Sequence, residues 1–146
     1  MKVFLLVVTI LLLISRIKST PKMLSKTIYR AKTIEALDKQ KKTFESYEGN
    51  VEELKGGAIL AIILIEIFFA IYYLVVGNRF SNDTTMLVLS ALQIVTVFVN
   101  LKKNLNKDII FSQNVEDYKF YRFIFLFNVV LDYVYYPMTI YMLLNN

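Results

Sequence analysis

The 146-residue sequence contains no cysteine, no histidine and no tryptophan. Without cysteine it can form no disulfide, and without cysteine and histidine it lacks the usual ligands of zinc, haem and iron–sulfur centres. The Ser-His-Asp and Cys-His arrangements of hydrolases are excluded for the same reason. Neither a glycine-rich phosphate loop nor a standard metal-ligand spacing is present. We therefore expect no catalytic residues, no metal, no cofactor and no enzymatic activity.

Charged residues are also scarce, at 20% of the chain, whereas 56% of residues are apolar. A soluble domain of this size cannot bury so much apolar surface. The apolar residues form four runs, and three of them approach the roughly 20 residues needed to cross a bilayer. We predict an all-α fold: one membrane domain, residues 1–146, that is a polytopic integral membrane protein with four transmembrane helices. The predicted spans are about 2–18, 57–76, 84–101 and 120–144, of which the first is the shortest.

The basic residues predict how these helices are oriented. Residues 16–55 carry ten Lys and Arg side chains, and residues 102–122 carry five. The N-terminus and the 77–83 turn carry only Lys2 and Arg79. Because basic loops are retained in the cytoplasm, we expect loops 16–55 and 102–119 to be cytoplasmic and both termini to lie outside.

The long basic segment, residues 21–55, is predicted to contain a cytoplasmic amphipathic helix between the first and second spans. Thr20-Pro21 is typical of a helix start, Gly49-Asn50 of a break, and Gly56-Gly57 of the entry to the second span. This helix could lie on the anionic inner leaflet or dock a cytoplasmic partner. Because this basic segment lies directly beside two predicted membrane spans, lipid headgroups explain its charges better than nucleic acid does. The side chains expected to contact the membrane surface or a partner are Lys22, Lys26, Arg30, Lys41 and Lys42.

Polar residues interrupt three of the apolar runs near their midpoints, where different helices share a depth. Glu66, Gln93 and Asp132 are the central ones, and residues at helical spacing place further polar groups on the same faces. Such stripes turn away from lipid. The residues predicted to form this intramembrane polar layer are Glu66, Gln93, Asp132, Asn128, Tyr73 and Tyr135.

The two acids in this layer constrain its chemistry. A charged side chain at the centre of a membrane helix costs about 3 kcal/mol on insertion scales. The central turns of the predicted spans contain no Lys or Arg, and Arg122 is too far from Asp132 to pair with it. We therefore expect at least one carboxyl to be protonated and to donate to a neighbouring amide or tyrosine.

Two functions are compatible with these features. The first is a non-catalytic accessory or interaction subunit of a membrane complex, which binds other membrane proteins or a second copy of itself. The second is a small proton- or cation-coupled transporter or channel that uses Glu66 and Asp132. In the first case the carboxyl layer is structural, and in the second it handles ions.

Overall fold

The computed structural model describes residues 1–105 and 122–145, and the regular structure in these ranges is entirely helical. Four of the five helices are long and apolar enough to cross a membrane. The second helix is the polar one. In chain order the helices are α1 (Lys2–Leu24), α2 (Lys26–Glu45), α3 (Val51–Arg79), α4 (Thr84–Asn104) and α5 (Arg122–Asn145).

The first helix is longer than its apolar run. Its apolar part, Lys2–Pro21, has 20 residues, which corresponds to about 30 Å of helix. The predicted helix start at Thr20-Pro21 is wrong, because α1 continues through Pro21 to Leu24. A proline removes one helical hydrogen bond without necessarily ending the helix. The break comes instead at Ser25, which adopts an extended conformation and accepts a hydrogen bond from the Ile28 N–H.

The third helix also begins earlier than its apolar run. Asn50 caps it by accepting a hydrogen bond from the Glu52 N–H at 3.0 Å, an interaction typical of helix starts. The helix then passes through Gly56-Gly57 without a break, so these glycines do not begin it. Since α3 has 29 residues and α4 has 21, α3 extends beyond its neighbour. This difference in length affects where Glu66 lies.

The four apolar helices pack as a bundle in which α3 packs mainly on α4 and α1 mainly on α5, with α4 also contacting α5. The α3–α4 turn contains Asp83, whose carboxylate accepts a hydrogen bond from the Met86 N–H at 2.8 Å and caps α4. At the opposite end, α2 packs against the bundle through Tyr29, whose ring lies 5.6 Å from that of Phe125. We call the end of the bundle with the α3–α4 turn the turn end, and the end where α2 packs the α2 end.

The exterior of the bundle is apolar, unlike that of a soluble protein. Large apolar side chains such as Phe98 and Phe123 are 62% and 82% exposed. Apolar side chains such as Val76 and Met86 also fill part of the interior, and polar side chains lie among them. The buried polar side chains are Thr9, Ser90, Gln93, Thr96, Asn128, Asp132 and Thr139. An apolar exterior with the polar groups turned inward is what hydrocarbon favours, because each polar group must be satisfied within the bundle.

Close approach of α3 and α4 depends on Gly77. A Cβ atom at this position would lie 2.9 Å from the Ser90 Cβ atom, whereas one at Gly57 would meet nothing within 4 Å. Small residues at helix interfaces allow such backbone proximity in membrane bundles.

We expect Gly77→Ala to lower the thermal unfolding midpoint relative to Gly57→Ala. Alanine improves helix propensity by about 1 kcal/mol at both positions, but the crowded Cβ at position 77 costs about 1–3 kcal/mol in strain. Thermal unfolding of both variants in the same detergent tests this. Equal midpoints would show that the α3–α4 interface does not need a glycine.

Candidate functional site

Among the charged side chains that the structure describes, the Asp132 carboxylate on α5 is the most buried, at 2% exposure. Its Oδ1 atom accepts a hydrogen bond from the Gln93 Nε2 atom on α4 at 2.8 Å. Its Oδ2 atom forms an ion pair with the Arg16 guanidinium on α1. Three helices therefore meet at one carboxylate, and both of its oxygens have a partner.

The partner supplied by Arg16 corrects the expectation that no basic side chain can reach the central acids. That expectation assigned Arg16 to a cytoplasmic loop, but α1 continues past it as helix. The helix carries the guanidinium to Asp132 on α5. An opposite charge in contact with a carboxylate favours its ionised form, so Asp132 has a counter-charge within the bundle. The three- and four-residue spacing of Thr9, Leu12 and Arg16 is the sequence signal that indicates this face of α1.

Tyrosine hydroxyls form a second polar group, adjacent to the ion pair on the side of the turn end. The Tyr73 and Tyr136 hydroxyls share a hydrogen bond of 3.0 Å. The Tyr135 hydroxyl shares one of 3.2 Å with Ser90. Both predicted tyrosines are thus buried and satisfied, but by hydroxyl groups rather than by a carboxyl.

A third hydroxyl pair, which the sequence analysis did not predict, joins α1 to α3. The Thr9 and Tyr72 hydroxyls share a hydrogen bond of 2.7 Å, and both side chains are buried. Two adjacent tyrosines on α3 therefore bond to two different helices, Tyr72 to α1 and Tyr73 to α5. Polar side chains in this position connect helices that lipid would not otherwise drive together.

Glu66 does not share the depth of Gln93 and Asp132. Its Oε1 atom accepts a hydrogen bond of 3.3 Å from Asn104, the last residue of α4. Asn104 lies eleven residues beyond Gln93, which is about 16 Å of helix. The midpoint of the apolar run in α3 did not predict its depth, because α3 is longer than α4 and extends past it at the α2 end.

A cavity of about 200 Å³ nevertheless connects Glu66 with the ion pair. Asn128 lies between them, and its Nδ2 atom donates to Asn100 Oδ1 at 3.3 Å. The Asn128 side chain is buried, and its Oδ1 atom accepts no hydrogen bond from any described residue. Predicted layer residues on α3, α4 and α5 thus line one continuous cavity, and α1 contributes Leu12, Ser15, Arg16 and Ser19 to its wall.

The predicted contact residues of α2 lie outside this cluster. Lys26, Arg30, Lys41 and Lys42 are all exposed on α2. The Lys41 Nζ atom also forms an ion pair with the Glu45 Oε1 atom at 3.9 Å. The side chain of Lys22, and most of the second basic segment from residue 106 to residue 121, lie outside the described residues.

We expect Arg16→Gln or Asp132→Asn alone to destabilise the bundle by about 3–5 kcal/mol, because each leaves one buried charge without its counter-charge. The double variant should recover most of this loss. Unfolding of the three variants in one detergent gives the coupling energy.

The exposed Lys32–Glu35 pair, 2.6 Å apart, is the matched control. Removing an exposed pair costs at most about 1 kcal/mol, so Lys32→Gln and Glu35→Gln should unfold with nearly unchanged midpoints. Additive losses for Arg16→Gln and Asp132→Asn would contradict a coupled pair.

The candidate site therefore comprises one buried ion pair, three hydroxyl pairs and a polar cavity, drawn from all four apolar helices. Comparisons with protein-family models, with curated proteins and with solved structures find no match for this chain. The function is argued below from the geometry and chemistry of these residues.

Proposed function

We propose that this chain is a multi-pass membrane protein that acts as a non-catalytic interaction subunit of a membrane complex. Insertion is supported by four helices of sufficient length and apolarity. It is also supported by their exposed apolar surface, which is stable in lipid and costly in water. Exposed side chains of this kind occur on all four helices, for example Phe4, Phe68, Phe98 and Phe123.

The observation that carries the interaction role is the charged helix α2. It has 20 residues, and among them only Tyr29 is buried. Other apolar side chains of α2, such as Leu37 and Phe44, are half-buried. A helix of this length that contributes so little to the interior offers its charged surface to other molecules, either lipid headgroups or a partner protein.

The buried ion pair supports a structural role for the central acids in this proposal. Asp132 is opposed by Arg16 and bonded to Gln93, so its charge is already compensated within the chain. A compensated pair fixes how α1 and α5 are aligned. The bundle then serves as a scaffold that presents α2 at one end.

The proposed orientation places the α2 end in the cytoplasm and both termini outside. The basic side chains concentrated in residues 16–55 and 102–119 support it, since such loops resist translocation. In this orientation Lys26, Arg30, Lys41 and Lys42 face the anionic inner leaflet or a cytoplasmic part of another subunit.

We expect the tagged protein, solubilised in mild detergent, to migrate on a native gel as an assembly larger than a monomer. The assembly consists of other membrane subunits or of further copies of this chain, which mass spectrometry of the excised band distinguishes. A single monomeric band without co-purifying protein would contradict the proposal.

The variant Lys41→Glu with Lys42→Glu tests whether α2 makes the contact. Each lysine near an anionic surface contributes roughly 1 kcal/mol, so reversing two charges should weaken the assembly by more than about tenfold. Lys2→Glu, at the turn end of the bundle, is the control and should migrate like the wild type.

The absence of cysteine makes the orientation directly testable with single introduced cysteines. We expect Asn82→Cys, in the α3–α4 turn, to react with an impermeant maleimide in intact cells. Ser46→Cys, between α2 and α3, should react only after the membrane is permeabilised. The opposite labelling pattern would reverse the proposed orientation.

The polar cavity favours a second candidate function, proton- or cation-coupled transport. It reaches from Glu66 to Asp132 and is lined by amide and hydroxyl groups, and intramembrane carboxylates of this kind occur along ion pathways. In transport, the Arg16–Asp132 pair would have to separate in at least one state. The cavity would then connect alternately with the two sides of the membrane.

Reconstituted vesicles test this candidate by measuring pH- or cation-dependent flux. We expect Glu66→Gln and Asp132→Asn to abolish the flux, while Glu52→Gln, an exposed acid on the first turn of α3, should retain it. A flux that is unchanged in both cavity variants would remove these acids from any transport mechanism.

A further inference from the structure

We propose that the cavity between α1 and α3 is a binding site for an organic ammonium group, of the kind found on a free amine or on an ethanolamine lipid headgroup. The cavity lies in the half of the bundle nearer to α2. It extends from the Arg16–Asp132 pair to Glu66, over a volume of about 200 Å³. This binding goes beyond the interaction role proposed above and does not depend on it.

The free hydrogen-bonding capacity at the cavity wall belongs to acceptors. The Asn128 Oδ1 atom is buried, lines the cavity and accepts no hydrogen bond from the described residues. Leaving such an atom without a donor costs about 1–3 kcal/mol. A ligand that brings an N–H group to this position removes that cost.

A carboxylate lines the same cavity at its other end. Glu66 accepts a hydrogen bond from Asn104, and a carboxylate has about four acceptor positions on its two oxygens. The lining also includes the Asp132 carboxylate, which is paired with the Arg16 guanidinium. Among the described lining residues there are thus two carboxylates and one guanidinium. An excess of acidic groups beside accepting amides is the chemistry that binds a cationic donor.

Aromatic rings complete the wall and favour an organic cation over a bare metal ion. Phe69, Tyr73 and Tyr136 all line the cavity, and ring faces attract ammonium groups by about 0.5–2 kcal/mol. The volume also exceeds what a single metal ion needs, since it would hold several water molecules at ~30 Å³ each. An ammonium with a short carbon chain fills both the polar and the aromatic parts.

The cavity opens where a membrane ligand can reach it. Ser15 lines the cavity and is exposed on α1, within the apolar part of that helix. The hydroxyl pair of Thr9 and Tyr72 joins α1 and α3 on the side nearer to the turn end. The opening is therefore on the side of α2, which is the side of the inner leaflet in the proposed orientation. A lipid headgroup or a soluble amine can enter there.

The test measures thermal unfolding of the full chain in detergent with increasing ethanolamine hydrochloride, against sodium chloride at equal ionic strength. We expect a saturable rise of the unfolding midpoint with ethanolamine that sodium chloride does not reproduce, because a ligand stabilises the state that binds it. Equal responses to both salts would overturn the proposal.

Two cavity variants and one control locate the binding. Glu66→Gln should raise the dissociation constant for ethanolamine by about tenfold or more, because a hydrogen bond to a charged group is lost. Asn128→Ala removes the accepting amide and should also weaken binding, whereas Glu52→Gln should bind as the wild type does. If Glu66→Gln fails to fold, the affinity of Asn128→Ala for ethanolamine tests the proposal alone. An unchanged affinity for ethanolamine in the variants that fold would overturn the proposal.

Lipid nanodiscs distinguish the two sources of the ammonium group. If a headgroup is the occupant, phosphatidylethanolamine should compete with free ethanolamine and phosphatidylglycerol should not. If a soluble amine is the occupant, both lipids should leave its affinity unchanged. Either result supports an ammonium site, and absence of saturable binding in detergent and in both nanodiscs would refute it. Such a failure would leave the native-gel assembly unaffected, so the two proposals can fail separately.

Discussion

A guanidinium and a carboxylate inside an apolar bundle must contact each other, because either one alone in hydrocarbon is strongly unfavourable. The Arg16–Asp132 pair imposes this constraint on α1 and α5. It determines how far each helix can slide along the other, since a shift of one turn would separate the two charges by about 5 Å. Gln93 extends the same constraint to α4 through its hydrogen bond to Asp132.

The hydroxyl pairs depend on the register that the ion pair sets. With α1 and α5 aligned, Thr9 meets Tyr72 and Tyr136 meets Tyr73, so that two neighbouring residues of α3 contact two different helices. In lipid there is little hydrophobic force between helices, and such bonds contribute to their association. Gly77, one helical turn beyond Tyr73 on α3, allows the backbone to approach Ser90 on α4.

The same arrangement separates the molecule into two regions with different chemistry. Toward the turn end, the buried polar groups satisfy one another in pairs. Toward the α2 end, the cavity has an amide oxygen to which no described residue donates, and it is lined by the Glu66 carboxylate. The proposed interaction surface on α2 and the proposed ammonium site are therefore at the same end of the bundle. An occupant of the cavity would lie close to any partner that α2 recruits.

The sequence by itself determined that the described part of the chain is helical with four long apolar helices, because apolar runs of this length allow few other folds. It also identified Gln93, Asn128 and Asp132 as inward-facing, since helical spacing places them on polar stripes. Only the tertiary structure decided that Arg16 belongs to the bundle, since this depends on α1 continuing through Pro21. The depth of Glu66 likewise depended on the unequal lengths of α3 and α4. Periodicity determines which way a side chain faces within its own helix, whereas the partner it meets depends on where a different helix begins and ends.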